Sequence, residues 1–352
     1  MPVSKGRDVF PGNQSYPRNA WWVAAFSREV TEKPLARTFL DTPVVLYRTH
    51  DGEAVALHDR CPHRAMPLSM GTVQDGDLLQ CGYHGIRFRR DGTCALVPSQ
   101  NATPSSLSVR RYPLVEKWNW MWIWMGDLEK ADPALIPDHK WLGLELPGYH
   151  PTAGFLLELG CNYQFMHDNL IDSTHFSYLH AGVIDTGDLA GAHFWTEEDG
   201  LTLRLGREQQ AVRFPAPMAQ YFRVDKDRAY DRRMVTEAYV PSTAIGKQTL
   251  RDAANPAAPA VELYAINCTT PASRSLTHLF HVQITSFDAK WSQQELDFMQ
   301  YIVVQDKVAL EAIQKRFDEF GEDSEVSVKA DVSGVRLRRM ITSMIEQEAT
   351  AD

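Results

Sequence analysis

The chain reads Cys61-Pro62-His63-Arg64-Ala65-Met66-Pro67-Leu68-Ser69-Met70-Gly71 and, after seven more residues, Leu79-Gln80-Cys81-Gly82-Tyr83-His84-Gly85. As a pattern this is C-x-H, seventeen residues, then C-x2-H. Two cysteines and two histidines at ligand spacing have two readings. Zinc fingers place both cysteines in one half and both histidines in the other, the histidines at helical spacing. Here each half supplies one of each. That division suits a [2Fe–2S] cluster in which one iron takes both thiolates and the other both imidazoles. Two tight turns at the tip of a β-framework then suffice to hold it. Pro62 stiffens the first turn, and Gly82 and Gly85 allow close backbone approach in the second.

The flanking sequence supplies such a framework. Residues 19–125 read as all-β, with short runs such as 43–48 and 54–57 between the turn signals Asp51-Gly52, Asp75-Gly76 and Asp91-Gly92. Tryptophan recurs at 118, 120, 122 and 124, which reads as a strand buried on both faces. That apolar run is far shorter than the ~20 residues a membrane helix needs. A Pro- and Asp-rich stretch over 126–151 reads as a linker, giving domains 1–130 and 131–352. Helical patterns over 162–181, 291–320 and 335–348 flank strand-like runs over 200–285, so the fold class is α+β.

Composition narrows the function. With 44% hydrophobic and 23% charged residues and a net charge of −9, the chain reads as a globular protein without the basic surface that nucleic acid requires. No signal peptide is read in residues 1–17, and a cytoplasmic location is expected. The five cysteines, Cys61, Cys81, Cys94, Cys161 and Cys268, argue against a disulfide framework.

A second constellation runs Asp168-Asn169-Leu170-Ile171-Asp172-Ser173-Thr174-His175-Phe176-Ser177-Tyr178-Leu179-His180, containing D-x2-H-x4-H. Two neutral imidazoles and one carboxylate on one face of an iron leave open positions for O2. In isolation the segment equally fits a polar helix with satisfied core histidines. His175 and His180 lie about 140° apart on a regular helix, so the helix should break or end between them. For the third ligand, the pattern over 291–320 has an apolar stripe at Met299, Val303, Leu310, Ile313 and Phe317, and Asp306 falls on it. A carboxylate facing the core is costly unless a cation meets it. That cation is a metal ion or an Arg or Lys partner. Glu295, Asp297, Glu311 and Asp318 fall off the stripe and read as solvated.

Both segments resemble the Rieske non-haem iron oxygenases, over residues 19–346, and 304–311 resembles the carboxylate-ligand helix of that family. The chain departs from the family's usual wording at Gly82, commonly proline, and at Ile86, often tryptophan. The wording over 18–25 and 122–127 is similar to the monooxygenases that demethylate methoxy-aromatic acids, such as vanillate and dicamba, or hydroxylate the methyl group of aromatic sulfonates. The resemblance implies a Rieske cluster on Cys61, His63, Cys81 and His84, and a mononuclear Fe(II) on His175, His180 and Asp306. It implies that Asp172 bridges the iron site to a neighbouring subunit's cluster histidine, with Asn169 beside it as a second catalytic candidate. It also implies a helix-grip catalytic domain, a curved antiparallel sheet wrapped on a long helix as in StAR-related lipid-transfer proteins, and a homotrimer or multiple of trimers. Electrons would come from a separate flavin- or ferredoxin-type reductase. The chain has no G-x-G-x-x-G at a strand–helix junction and no second cysteine cluster, so it is not expected to oxidise a nicotinamide itself.

Three residues before His175, Asp172 is expected to accept the free N–H of that ring, against the alternative of a helix N-terminal acid that merely caps or solvates. The expected substrate is a small aromatic acid in a pocket drawn from residues 200–300. His278 or His281 is a candidate for its anionic group, against the alternative of ordinary strand histidines. The rival functions are a ring-dihydroxylating dioxygenase, an N-demethylase, a Rieske electron carrier and a zinc-structured binding module.

Overall fold

The computed structural model describes residues 16–138, 142–187, 189, 191–321 and 325–350. The stretch read against a signal peptide lies, up to residue 15, outside the described residues. The described residues form two compact units, one of Pro17–Ile136 with Thr270–Arg274 and the other of the remaining described residues, Tyr16 among them.

The first unit is all-β. Its strands are β1 (Trp21–Phe26), β2 (Leu35–Phe39), β3 (Thr42–Arg48), β4 (Ala54–His58), β5 (Thr72–Gln74), β6 (Leu78–Gln80), β7 (Arg87–Phe88), β8 (Cys94–Leu96), β9 (Arg111–Tyr112), β10 (Leu114–Lys117) and β11 (Trp120–Trp124). They pair into three small sheets, β1-β11-β10, β2-β3-β4-β9 and β5-β6-β7-β8. The tryptophan run needs one correction. All five residues of β11 are buried, but Trp118 is not in the strand. Trp118 and Asn119 are the two central residues of the β10–β11 turn, at φ 53° and 70°. A two-residue hairpin loop needs left-handed residues to match the strand twist. Gly92 shows why a turn signal is obligatory: its φ is +84°, and a Cβ there would sit 1.9 Å from the Val109 carbonyl oxygen.

The second unit mixes helix and sheet, which with the first makes the chain α+β. Its strands are β12 (His150–Pro151), β13 (Phe155–Leu159), β14 (Phe194–Asp199), β15 (Thr202–Val212), β16 (Tyr230–Tyr239), β17 (Thr243–Asp252), β18 (Val261–Ser273) and β19 (Leu276–Thr285). They form one sheet in the order β12-β19-β18-β17-β16-β15-β14, with β13 also against β19. The helices are α1 (Tyr163–Ile171), α2 (Ala216–Phe222), α3 (Gln293–Phe320) and α4 (Val332–Ala349).

Helix α3 starts at a capping box, in which Ser292 and Glu295 each accept the other's backbone N–H. Its buried residues are Glu295, Met299, Val303, Asp306, Leu310, Gln314 and Phe317, recurring every three or four positions. Two expectations are corrected here. Ile313 is 45% exposed, and Gln314 holds the buried position instead. Glu295 is buried rather than solvated, because Arg223 donates to its carboxylate while the cap holds its other oxygen. Among the described residues, no helix is long and apolar enough to cross a membrane.

Candidate active site

The two cluster loops are built alike. The Cys61 N–H donates to the Met66 carbonyl at 2.8 Å, and the Ala65 N–H returns to Cys61 at 2.9 Å. The Cys81 N–H donates to Ile86 at 2.8 Å, and Gly85 returns to Cys81 at 3.1 Å. Each turn needs one left-handed residue, Ala65 at φ 58° and Gly85 at φ 70°. A Cβ on Gly82 would lie 2.9 Å from the Met70 carbonyl oxygen, so the two loops approach closely.

This frame puts both cysteines in the core, 1% and 2% exposed, as free thiols. His63 and His84 lie at the surface with ring centroids 4.6 Å apart. Burial pushes the Cys61 thiol up, and the neighbouring Cys81 adds to the shift. Two buried thiols and two outward imidazoles fit a cluster that takes sulfur on its inner iron and nitrogen on its outer one. The set of three or more His, Cys, Asp or Glu whose ligand atoms lie within 4.8 Å of one another, among the described residues, is elsewhere. One zinc ion would need such convergence at the four cluster side chains.

That converging set is His175, His180 and Asp306. Helix α1, capped by Asn162, ends at Ile171. Asp172 is extended, at φ −113° and ψ 110°, and a 3-10 turn runs from Ser173 to Ser177. The turn therefore ends between His175 and His180, which lets both rings face Asp306. The His180 Nε2 is 3.1 Å and the His175 Nε2 3.5 Å from Asp306 Oδ1. On the far side of each ring, Nδ1 meets an acceptor: the main-chain carbonyl of Asp172 at 2.7 Å for His175, and Gln305 Oε1 at 3.0 Å for His180. These acceptors place the proton on Nδ1 and leave each Nε2 with a lone pair turned toward the carboxylate. Burial pulls the His175 ring down. Burial acts the same way on His180, but the Asp306 carboxylate beside it and the Gln305 hydrogen bond together outweigh it, and the net direction is up. Two nitrogen lone pairs and a carboxylate oxygen, nearly all buried, are the donor set a divalent iron takes. Asn169 Nδ2 donates to Asp306 Oδ1 at 3.0 Å and lies 3.4 Å from His175 Nε2, holding the carboxylate in place.

The expected role of the Asp172 carboxylate toward His175 is not what the structure shows. Its oxygens accept from the Thr174 N–H at 2.9 Å and the Thr174 hydroxyl at 2.7 Å, capping the 3-10 turn. Arg207, 1% exposed, lies 3.5 Å from the same carboxylate. The Asp172 backbone, not its side chain, orients the His175 ring. The helical geometry assumed for the pair fails because the helix stops at this residue.

Next to the triad is a cavity of about 140 Å³ with a mostly apolar lining, between the sheet, α1 and α3. An apolar cavity of about 150 Å³ holds one benzene molecule. His281 lines it and His278 does not. The two are three apart on β19 and so face opposite sides of the sheet. His281 Nδ1 donates to Asn267 Oδ1 at 2.8 Å, since Asn267 Nδ2 is turned to the Ala265 carbonyl. Burial pulls this ring down to about 4, so it is neutral. Among the described residues, its Nε2 has no hydrogen-bond partner. Sequence reading gave no role to Gln305, though it stands beside Asp306 in the 304–311 segment, and missed Asn267 and Arg207, which belong to no local motif.

An all-β unit with a thiolate–imidazole cluster site, joined to a unit that gathers two histidines and an aspartate beside a ring-sized cavity, defines a Rieske-type oxygenase. Residues 20–113 match the Rieske [2Fe-2S] domain, and residues 159–347 match the vanillate O-demethylase oxygenase C-terminal domain. The chain belongs to the vanillate O-demethylase oxygenase family. It is 32% identical over 347 residues to a putative toluene-4-sulfonate monooxygenase system iron-sulfur subunit of Comamonas testosteroni, covering 94% of this chain and 97% of that one. It is 33% identical over 353 residues to the oxygenase component of dicamba O-demethylase from Stenotrophomonas maltophilia, covering 95% and 99%. A crystal structure of dicamba monooxygenase with non-haem iron and dicamba superposes with a TM-score of 0.80, at 30% identity and 96% and 99% coverage. The protein is an oxygenase component that carries a Rieske [2Fe–2S] cluster and a mononuclear iron.

Proposed function

We propose that this oxygenase removes or hydroxylates a methyl group on a small aromatic acid. His175, His180 and Asp306 would hold the mononuclear iron, and Cys61, His63, Cys81 and His84 the cluster. When bound, the iron supplies the activation of dioxygen with electrons received singly through the cluster. The observation that carries the reading is the ring-sized, mostly apolar cavity lined on one side by His175, His180 and Asp306. The family's name and the relatives named for toluene-4-sulfonate and dicamba support an aromatic acid. The neutral His281 offers a lone pair at Nε2, so it suits a hydroxyl or other donor on the ring better than a carboxylate. For a methoxy substrate, the methyl carbon leaves as formaldehyde and the ring keeps a hydroxyl. One atom of O2 leaves as water, and two electrons and two protons are consumed.

A separate reductase would supply the electrons to a homotrimer, or a multiple of one, in the cytoplasm. The domain division we adopt is 1–130 and 131–352. The test is a panel of methoxybenzoates, aromatic sulfonates and N-methyl aromatics with a surrogate reductase. Substrate-dependent O2 uptake matched one-to-one by formaldehyde from a methoxybenzoate, or by hydroxymethyl product from a sulfonate, is the expected result. Retention of both oxygen atoms in a diol product, or formaldehyde from N-methyl compounds alone, would overturn it.

A further inference from the structure

The sheet floor of the cavity has a feature that the metal chemistry does not use. Met234 of β16, Gln248 of β17 and Leu263 of β18 stand in one row across the sheet, and all three line the cavity. Arg232 lies two residues before Met234 on β16, hence on the same face. Its side chain is 1% exposed. Its Nε and Nη2 both donate to Gln248 Oε1, at 3.0 and 2.6 Å, and its Nη1 donates to the Thr186 hydroxyl at 2.8 Å. Burial pulls this guanidinium down to about 9, and the opposing charge is Asp185, acting through space rather than by contact. A buried cation is therefore met by an amide oxygen and a hydroxyl where a carboxylate would be expected.

This arrangement fixes what Gln248 shows to the cavity. A guanidinium has only donors, so the atom between its two N–H groups must be the amide oxygen. The other end of the amide, with two N–H donors, is turned away from Arg232 on a residue that lines the cavity. Among the described residues, the structure gives that Nε2 no acceptor. The cation against the oxygen polarises the amide and strengthens the donors at its far end. The ligand chemistry that satisfies two fixed, polarised N–H groups is an acceptor with two oxygens and a negative charge, a carboxylate or a sulfonate. Asn267 stands opposite Ala244, four residues along β17 from Gln248, roughly 13 Å on a strand. Between them Gly246 and Ala265 form the row, and a Cβ on Gly246 would meet nothing within 4 Å. The floor thus has donors at one end, the Asn267–His281 pair with its lone pair at the other, and room for a ring between.

We propose that Gln248, held by Arg232, is the specificity-determining residue that binds the anionic group of the substrate, fixing which end of the ring lies toward His281. This rests on the reading of the substrate as an aromatic acid. The test uses purified holoenzyme with 4-methoxybenzoate and 4-methylbenzenesulfonate as anionic probes and 4-methylanisole as the neutral one, measuring Kd by calorimetry alongside KM and kcat. Gln248→Glu keeps an oxygen for Arg232 but replaces the donors with a negative charge, so the fold is protected while anion binding is opposed. Gln248→Leu removes both. Both variants are expected to weaken the anionic probes at least about tenfold, ~1.4 kcal/mol. Gln248→Glu should be the worse, and affinity for the neutral probe should stay the same. A Gln248→Glu enzyme that binds the anions within twofold of wild type, or loses the neutral probe equally, overturns the proposal alone. A wild-type enzyme that binds the neutral probe and neither anion overturns the aromatic-acid reading, and the proposal with it.

Discussion

Gln305 stands immediately before Asp306, and its amide is held at both ends. Its Nε2 donates to the Tyr301 hydroxyl at 3.2 Å, which turns Oε1 to accept His180 Nδ1–H at 3.0 Å. Gln305→Leu removes that acceptor beside a ring that is 1% exposed. A buried N–H left without a partner costs about 1–3 kcal/mol. The ring can escape that cost by moving its proton to Nε2, where it blocks the nitrogen that faces Asp306. Either way, iron binding pays the difference. Loss of such an outer partner typically weakens metal binding about 10–100-fold. The expected result is that Gln305→Leu releases the mononuclear iron at a chelator concentration 10–100-fold lower than wild type, falling from about three irons per chain to the two of the cluster. The visible spectrum of the cluster should not change. Gln305→Glu keeps an acceptor and should hold iron as wild type does. Wild-type chelator resistance in Gln305→Leu, or loss of cluster colour in step with the iron, would refute the tautomer argument.

His175→Ala, His180→Ala and Asp306→Ala should each lose the mononuclear iron and keep the cluster, read as iron and acid-labile sulfide per chain. Gly246→Val builds a three-carbon side chain into the cavity from a position where a Cβ meets nothing within 4 Å, so it should raise KM or abolish turnover of a monocyclic substrate while the melting temperature stays level or rises, valine being the better strand former. The hydrogen bond from Arg223 holds Glu295 down to about 2, against an ordinary 4.5. A depressed carboxylate contributes stability above its unfolded pKa and loses it as pH falls through the folded one. Glu295→Gln should therefore be less stable than wild type at pH 6, with the gap closing between about pH 4.5 and pH 2 in urea melts. Asp172→Asn should keep both metal centres and be reduced normally, yet turn over slowly, as followed by metal content, dithionite-reduced spectra and single-turnover product.

What was legible in the sequence was chemistry carried by short-range spacing. The C-x-H and C-x2-H halves specify their own turns, and Asp306 declared itself as an acid on a core-facing stripe. The stripe failed at Glu295, which is buried against Arg223, and at its edge, where Gln314 rather than Ile313 turned inward, because 3.6-residue periodicity leaves neighbouring positions nearly equivalent there. Gln305, Asn267 and Gln248 were not legible, since their meaning depends on strand register and on which helix lies across the sheet. His278 and His281 were decidable: three apart in a strand, they cannot both face one cavity. Asp172 reads either as an acceptor for the His175 ring or as an acid that merely caps, and of the two the carboxylate does the capping, at the start of the new 3-10 turn.

The break at Asp172 governs how the site is assembled. A helix end leaves its last carbonyls without intrahelical partners. Here the end of α1 leaves the Asp172 carbonyl free, and the His175 ring takes it at 2.7 Å. The same break frees the Asp172 carboxylate to start the 3-10 turn through Thr174 and to face the buried Arg207. Orientation of the ligand ring therefore belongs to the backbone, and negative charge beside it to the side chain. Residue identity at 172 can change the charge without turning the ring, because asparagine caps a turn nearly as well as aspartate. Any slowing in Asp172→Asn would then report the charge itself, felt at Arg207 and by whatever approaches that face, and not a displaced His175.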